Sequence, residues 1–191
     1  MSHFIGLVFC KDLDKLTDLI APYDENHIVD PPILKYTNEQ AIRHLIDEFH
    51  KGNLNLNDTE TVKSIINDRK ACLKFFEEYY GYIRDFDGFY SSTNEQGKYD
   101  WYTIEDSRWG NYLPLKEGTA QIAQAKDIDW KVLKVPHCFV TTNGVWHEKS
   151  ELWWWCMTKN EKDDNSWAKE FYNYVKTVDK DTLVVAIDFH I

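Results

Sequence analysis

No cysteine pair with metal-ligand or redox spacing occurs in this 191-residue chain. Its four cysteines, Cys10, Cys72, Cys138 and Cys156, are far apart and lie among apolar neighbours. Such thiols behave as small hydrophobes, so the pattern predicts a reducing compartment and no disulfide framework. The chain also lacks an excess of positive charge: 22 Lys and Arg stand against 32 Asp and Glu, a formal net charge of −10. That argues against passive adsorption to a nucleic-acid backbone, which needs a basic patch. It leaves open a small anion held by a few local cations, and imitation of nucleic acid toward a basic protein. No apolar run approaches the length of a membrane span, and the opening MSHFIGLVFC is too short for a signal peptide. The expectation is a cytoplasmic protein that does not enter a membrane. Repeats, low-complexity tracts and linkers are absent, as are nucleophile-elbow, P-loop, dinucleotide and kinase fingerprints.

Aromatic residues, in contrast, are abundant: 8 Trp, 11 Tyr and 10 Phe make up 15% of the chain. They serve cores and recognition surfaces alike. Residues 3–10 read as a buried strand, and TLVVAIDFHI (182–191) as another. Both are apolar throughout, which predicts central positions side by side. Between them, Asp12 is a candidate N-cap for a short helix, and Pro31-Pro32 imposes extended chain. Thr37 and Gln40 form a capping box ahead of a helix with Ile42, Leu45, Ile46 and Phe49 on one stripe. A second helix is expected from about Asp58 to Tyr80, stopped by Gly81.

Strand-like alternation follows through 82–104, and Asn143-Gly144 predicts a two-residue hairpin turn. ELWWWCMT continues as a strand, and Trp167, Phe171, Tyr174 and Val178 mark the stripe of a last helix. The element order indicates an α+β fold: one domain over residues 1–191, a mostly antiparallel or mixed sheet with helices packed on it, and 37–80 as a helical insert.

Several stretches carry a resemblance: APYDEN (21–26), KYDWYTIEDSRWG (98–110), KDIDW (126–130), VTTNGVWHEK (140–149) and the terminal DFHI (188–191). In this order they resemble an uncharacterised family found in bacterial genomes and phages, with K-W-D-W-Y-x-I-G-G-R-W, K-D-I-D-W, D-G-x-W-H-E and D-C-H-I motifs. One departure stands out. Glu105-Asp106-Ser107 occupies the place of the two glycines before Arg-Trp, one residue longer. Phage members of such a family imply a counter-defence role, in the host cytoplasm if the chain is phage-encoded.

The candidate ligand-binding residues are Trp101, Tyr102, Arg108, Trp109, Trp146, His147 and Trp154. An arginine beside tryptophans pairs with phosphate and stacks on rings, and nucleobases stack on such platforms. Alternation along the strand places Tyr99, Trp101 and Thr103 on one face and Asp100, Tyr102 and Ile104 on the other. The expected partner is a small planar anion such as an immune-signalling nucleotide, sequestered without catalysis. An acidic inhibitor that binds a nucleic-acid-processing defence protein is the second reading. A hydrolase using His137, His147 and a carboxylate is the third. His190 is a further histidine that tertiary structure could add to such a set. No catalytic residue, cofactor or metal is assigned: His147-Glu148 lacks the second histidine of a zinc helix. A homo-oligomer is compatible with the exposed tryptophans expected in the 153–155 run.

Overall fold

The computed structural model describes residues 2–54, 64–153 and 157–191. Its strands in chain order are β1 (His3–Cys10), β2 (Ile33–Thr37), β3 (Ile83–Arg84), β4 (Gly88–Ser91), β5 (Trp101–Thr103), β6 (Leu113–Pro114), β7 (Thr119–Ala120), β8 (Ile122–Gln124), β9 (Cys138–Val140), β10 (Trp146–Glu148), β11 (Glu151–Trp153), β12 (Met157–Lys159) and β13 (Leu183–His190). The helices used below are α1 (Leu16–Ile20), α2 (Asn38–His50), α3 (Arg69–Tyr80) and α4 (Asp164–Val175). The architecture is α+β with mixed and antiparallel sheets. The described chain divides into two compact units, Met1–His27 with Asn94–Ile191, and Ile28–Thr93.

In the first unit, β1 and β13 pair antiparallel along their whole lengths, from His3 opposite His190 to Cys10 opposite Leu183. They are the centre of a sheet ordered β10-β9-β1-β13-β5, with β8 also on β13. The β1–β9 pair is parallel. Both central strands are covered on both faces, which is why they lack polar alternation. One face carries Ile5, Leu7, Phe9, Phe139, Val184 and Ala186 and packs on Trp167 and Phe171 of α4. The other carries Phe4, Val8, Val140, Val185, Ile187 and Phe189 and packs on Leu16, Ile20 and Tyr99. Gly6 allows the tightest approach: a Cβ there would lie 2.5 Å from Cys138 Sγ and 2.6 Å from Phe189 Cε2.

The second unit contains α2 and α3 and a three-stranded sheet, ordered β2-β4-β3. Thr37 and Gln40 form the expected reciprocal capping box on α2. The helix expected from Asp58 does not run unbroken to Tyr80. Asp68 leaves the helical conformation and its carboxylate accepts from the Lys70 and Ala71 N–H groups, so α3 starts at Arg69. Residues 55–63, including Asp58, lie outside the described residues. Gly81, at φ 70°, ends α3 as expected. Ala41, Leu45, Leu73, Phe76 and Phe89 form this unit's own core.

Two local expectations are corrected. The hairpin at Asn143-Gly144 exists, but β9 and β10 close over a longer loop than two residues. Thr141 supplies the reason: its N–H donates to Val145 O and its hydroxyl accepts from the Val145 N–H, 3.0 and 2.9 Å. Only Gly144 takes a positive φ there, 82°. In addition, ELWWWCMT is not one strand: β11 pairs antiparallel with β12. Trp154, Trp155 and Cys156 lie outside the described residues. Cys10, Cys72 and Cys138 are free and buried, and burial pushes the Cys138 thiol well up. Among the described residues no helix is long and apolar enough to cross a membrane.

Candidate functional site

The end-to-end register of β1 and β13 sets position 3 opposite position 190, and β5 sets Trp101 beside His190. Because side chains alternate along a strand, His3, Asp188, His190 and Trp101 emerge on one face. Four titratable groups meet there. His190 Nδ1 lies 2.5 Å from Asp100 Oδ1, and His3 Nδ1 lies 3.0 Å from Asp188 Oδ1. The second oxygen of Asp188 accepts the backbone N–H of Arg108 at 2.8 Å. The two imidazoles sit edge to face, centroids 5.0 Å apart. The Trp101 indole stacks on His190 at 4.8 Å and meets the His3 ring edge-on at 5.4 Å.

Within this cluster Asp188 and His190 are buried, while His3 and Asp100 are partly exposed. Asp188 is 1% and His190 3% exposed, whereas Trp101 is 44% exposed. A carboxylate only accepts, so each histidine donates Nδ1–H to its partner and presents Nε2 as the remaining nitrogen. His190 Nε2 is buried and has no hydrogen-bond partner among the described residues. An unpaired buried polar atom costs about 1–3 kcal/mol, which makes the position notable. An imidazole held by a carboxylate at Nδ1 is suited to accept or deliver a proton, or a hydrogen bond, at Nε2.

Three of the segments quoted for the resemblance, APYDEN, KYDWYTIEDSRWG and DFHI, build this site. Within APYDEN, the Glu25 N–H donates to Tyr99 O at 2.8 Å and Asn26 Nδ2 to Asp100 O at 3.0 Å. Tyr99 is buried with its hydroxyl donating to Ile20 O, and burial pushes its pKa far up, so it remains neutral. The β5 ladder begins only at Trp101, and Tyr99 packs 4.9 Å from Phe189 on the face opposite Trp101. The alternation expected from Tyr99 through Thr103 therefore breaks at Asp100, whose N–H donates to His190 O. After β5, Asp106 takes φ 53°, a left-handed conformation that aspartate tolerates and glycine favours. The turn is thus made without the two glycines. It delivers Arg108 and Trp109 to the surface; Trp109 is 43% exposed, and the Arg108 guanidinium has no ion pair among the described residues.

The other expected site residues fall elsewhere. Tyr102 points to the opposite face, edge-on to Tyr99 at 5.8 Å. Trp146 lies on that face too, 5.2 Å from Phe189, with Nε1 donating to Glu148 Oε2. His147 is on the α4 face, but on β10, at the far side of the sheet order from β5. Its ring is stacked on Phe139 at 4.5 Å and its Nδ1 meets Glu170 Oε1 at 2.8 Å, tying the strand to the helix. His137 contacts Phe4 on the face opposite His147, its Nε2 donating to Ser150 O. The structure therefore gathers Trp101 and Arg108 with His190, and holds Trp146 and His147 apart from them. Trp154 lies outside the described residues. His3, Asp100 and Asp188 join the site without having been singled out as ligand residues. For His3 and Asp188 the only signal was their place on the two apolar strands expected side by side; Asp100 gave none.

Among the described residues no three His, Cys, Asp or Glu side chains converge as metal-ion ligands. Comparison of the chain with protein-family models, with curated proteins and with solved structures finds no match.

Proposed function

We propose that the first unit binds a small planar anion of the nucleotide class at the β5 edge, over the His3–Asp188 and His190–Asp100 pairs, and sequesters it. The observation that carries this reading is the half-exposed Trp101 ring lying on a buried histidine whose Nε2 is unpaired. A base stacks on exposed indole, and phosphate pairs with an unengaged guanidinium, here Arg108. Asp188 couples the two parts, since it holds both His3 and the Arg108 backbone. The resemblance to phage proteins fits a sponge for a signalling nucleotide.

The test is thermal shift against linear and cyclic nucleotides, with mass spectrometry of co-purifying molecules. A ligand in large excess over its Kd raises the melting temperature. The shift is expected to vanish in Arg108→Ala and Trp101→Ala, with the ligand recovered intact. A shift that survives both substitutions removes the assignment to this edge.

A second reading is hydrolysis, with the paired histidines as acid and base. The juxtaposition of two carboxylate-held imidazoles 5.0 Å apart favours it. It requires turnover of the bound nucleotide, lost in His3→Gln and in His190→Gln.

A further inference from the structure

A groove of about 960 Å³ opens between the 125–131 segment and the C-terminal part of α4 with the turn that follows it. Its floor is apolar: Ile128, Val175 and Val178 alternate with the rings of Trp130 and Tyr172. Its rim is four lysines, Lys126, Lys131, Lys176 and Lys180. Lys126 is paired with Asp181 at 2.8 Å. The other three make no ion pair among the described residues, and no carboxylate lines the groove. Asp127, Asp129, Asp179 and Asp181 alternate with these lysines along the chain, yet the groove lining itself carries only positive side chains.

The fixed groups explain why the floor persists. Trp130 Nε1 donates to Ala125 O at 2.9 Å, which tethers the indole. The Tyr172 hydroxyl donates to Leu133 O, so the ring is held and its polar end is already engaged. The lining then offers no Asn, Gln, Ser, Thr, Asp or Glu side chain to read the polar edge of a base or sugar. Such a site matches an apolar body with an anionic head and does not match a nucleotide.

We propose that this groove is a binding site for a single-chain amphipathic anion, an alkyl carboxylate or alkyl phosphate. The chain lies on Ile128, Trp130, Val175 and Val178, and the head meets Lys131, Lys176 and Lys180. A free amphiphile is favoured over a bilayer because the net charge opposes adsorption to an anionic surface. The site is independent of the β5 edge. The groove lies beside the start of β13, where β8 pairs with Leu183, and the histidine cluster lies at its end. At about 3.3 Å per residue, strand β13 separates them by roughly 20 Å.

The test is calorimetric titration of the whole chain with laurate and with dodecyl phosphate, below their micellar concentrations. Saturable one-to-one binding is expected, weakened at least tenfold in the triple variant Lys131→Glu, Lys176→Glu, Lys180→Glu. These side chains are exposed, so the variant should melt as the wild type does; the Lys→Gln triple is the milder control. Binding should fall with added salt and be unaffected by Arg108→Ala, which separates this site from the nucleotide reading. The proposal is overturned by absence of saturable binding, by equal affinity in the charge-reversed variant, or by binding confined to phosphatidylglycerol vesicles.

Discussion

The Trp101 indole lies over the His190 imidazole, with centroids 4.8 Å apart and planes 18° from parallel. One ring is half in water and the other is buried, so the tryptophan roofs the histidine. Aromatic stacks of this kind contribute about 0.5–1.5 kcal/mol beyond the area they bury. Trp101→Ala is therefore expected to cost about 1–2 kcal/mol in urea unfolding, and Trp101→Phe to recover most of it. Equal stability of wild type and the alanine variant would show that the stack does not hold the site together.

Gly6 is the closest approach between β1, β9 and β13. Gly6→Ala must push against Cys138 Sγ and Phe189 at 2.5 and 2.6 Å. Overpacking of this kind costs about 1–3 kcal/mol. Because one of the two obstacles is the Cys138 sulfur, Gly6→Ala combined with Cys138→Ala should cost less than the sum of the single changes. Strict additivity in a double-mutant cycle would mean that the strain falls elsewhere.

His137 should make stability depend on pH. Burial pushes its pKa below the ordinary value, and this outweighs the opposing hydrogen bond to Ser150 O. Between the lowered folded value and about 6.5 in the unfolded chain, the unfolded state binds more protons. Stability is then complete above about pH 6.5 and declines as pH falls through that window. The slope of unfolding free energy between pH 5 and 7 should be smaller in His137→Asn than in wild type. Identical slopes would exclude this histidine as the source.

Glu170 acts on the acid side. Burial works to raise its pKa, but hydrogen bonds from Lys162 and His147 prevail and the net shift is downward. A lowered carboxylate stabilises the fold above its unfolded value and loses that contribution as pH falls through the folded one. Glu170→Gln should be less stable than wild type near neutrality, and the difference should shrink as pH falls below about 4. Glu170 is about a third exposed, so solvent screens the effect. A gap between the two proteins that is constant with pH would show that the carboxylate charge is not involved.

Local chemistry determined much of this fold. Thr37 and Gln40 cap α2 whatever surrounds them, because both partners lie within one helical turn. The unbroken apolar runs at 4–10 and 183–187 required burial on both faces, and that placed them at the centre of a sheet. Gly81 ends α3 because its left-handed conformation is cheap for glycine alone.

The site was legible only in fragments. Trp101, Arg108 and Trp109 stand out by type and are where the chain turns back to the surface. Trp146 and His147 are equally conspicuous, yet one packs on Phe189 and the other on Phe139. Strand periodicity states that neighbours face opposite ways; it does not state which core awaits each. The pairing of His3 with Asp188 spans 185 positions and that of His190 with Asp100 spans 90. No local pattern encodes contacts of that range. They arise when β1, β13 and β5 lock in register, because a slip of one residue would turn every side chain to the other face. The sequence by itself determined the capped helices and the two central strands, through interactions within a few residues. Tertiary structure alone decided which histidines share a face with which carboxylates, through strand register set by packing on both sides of the sheet.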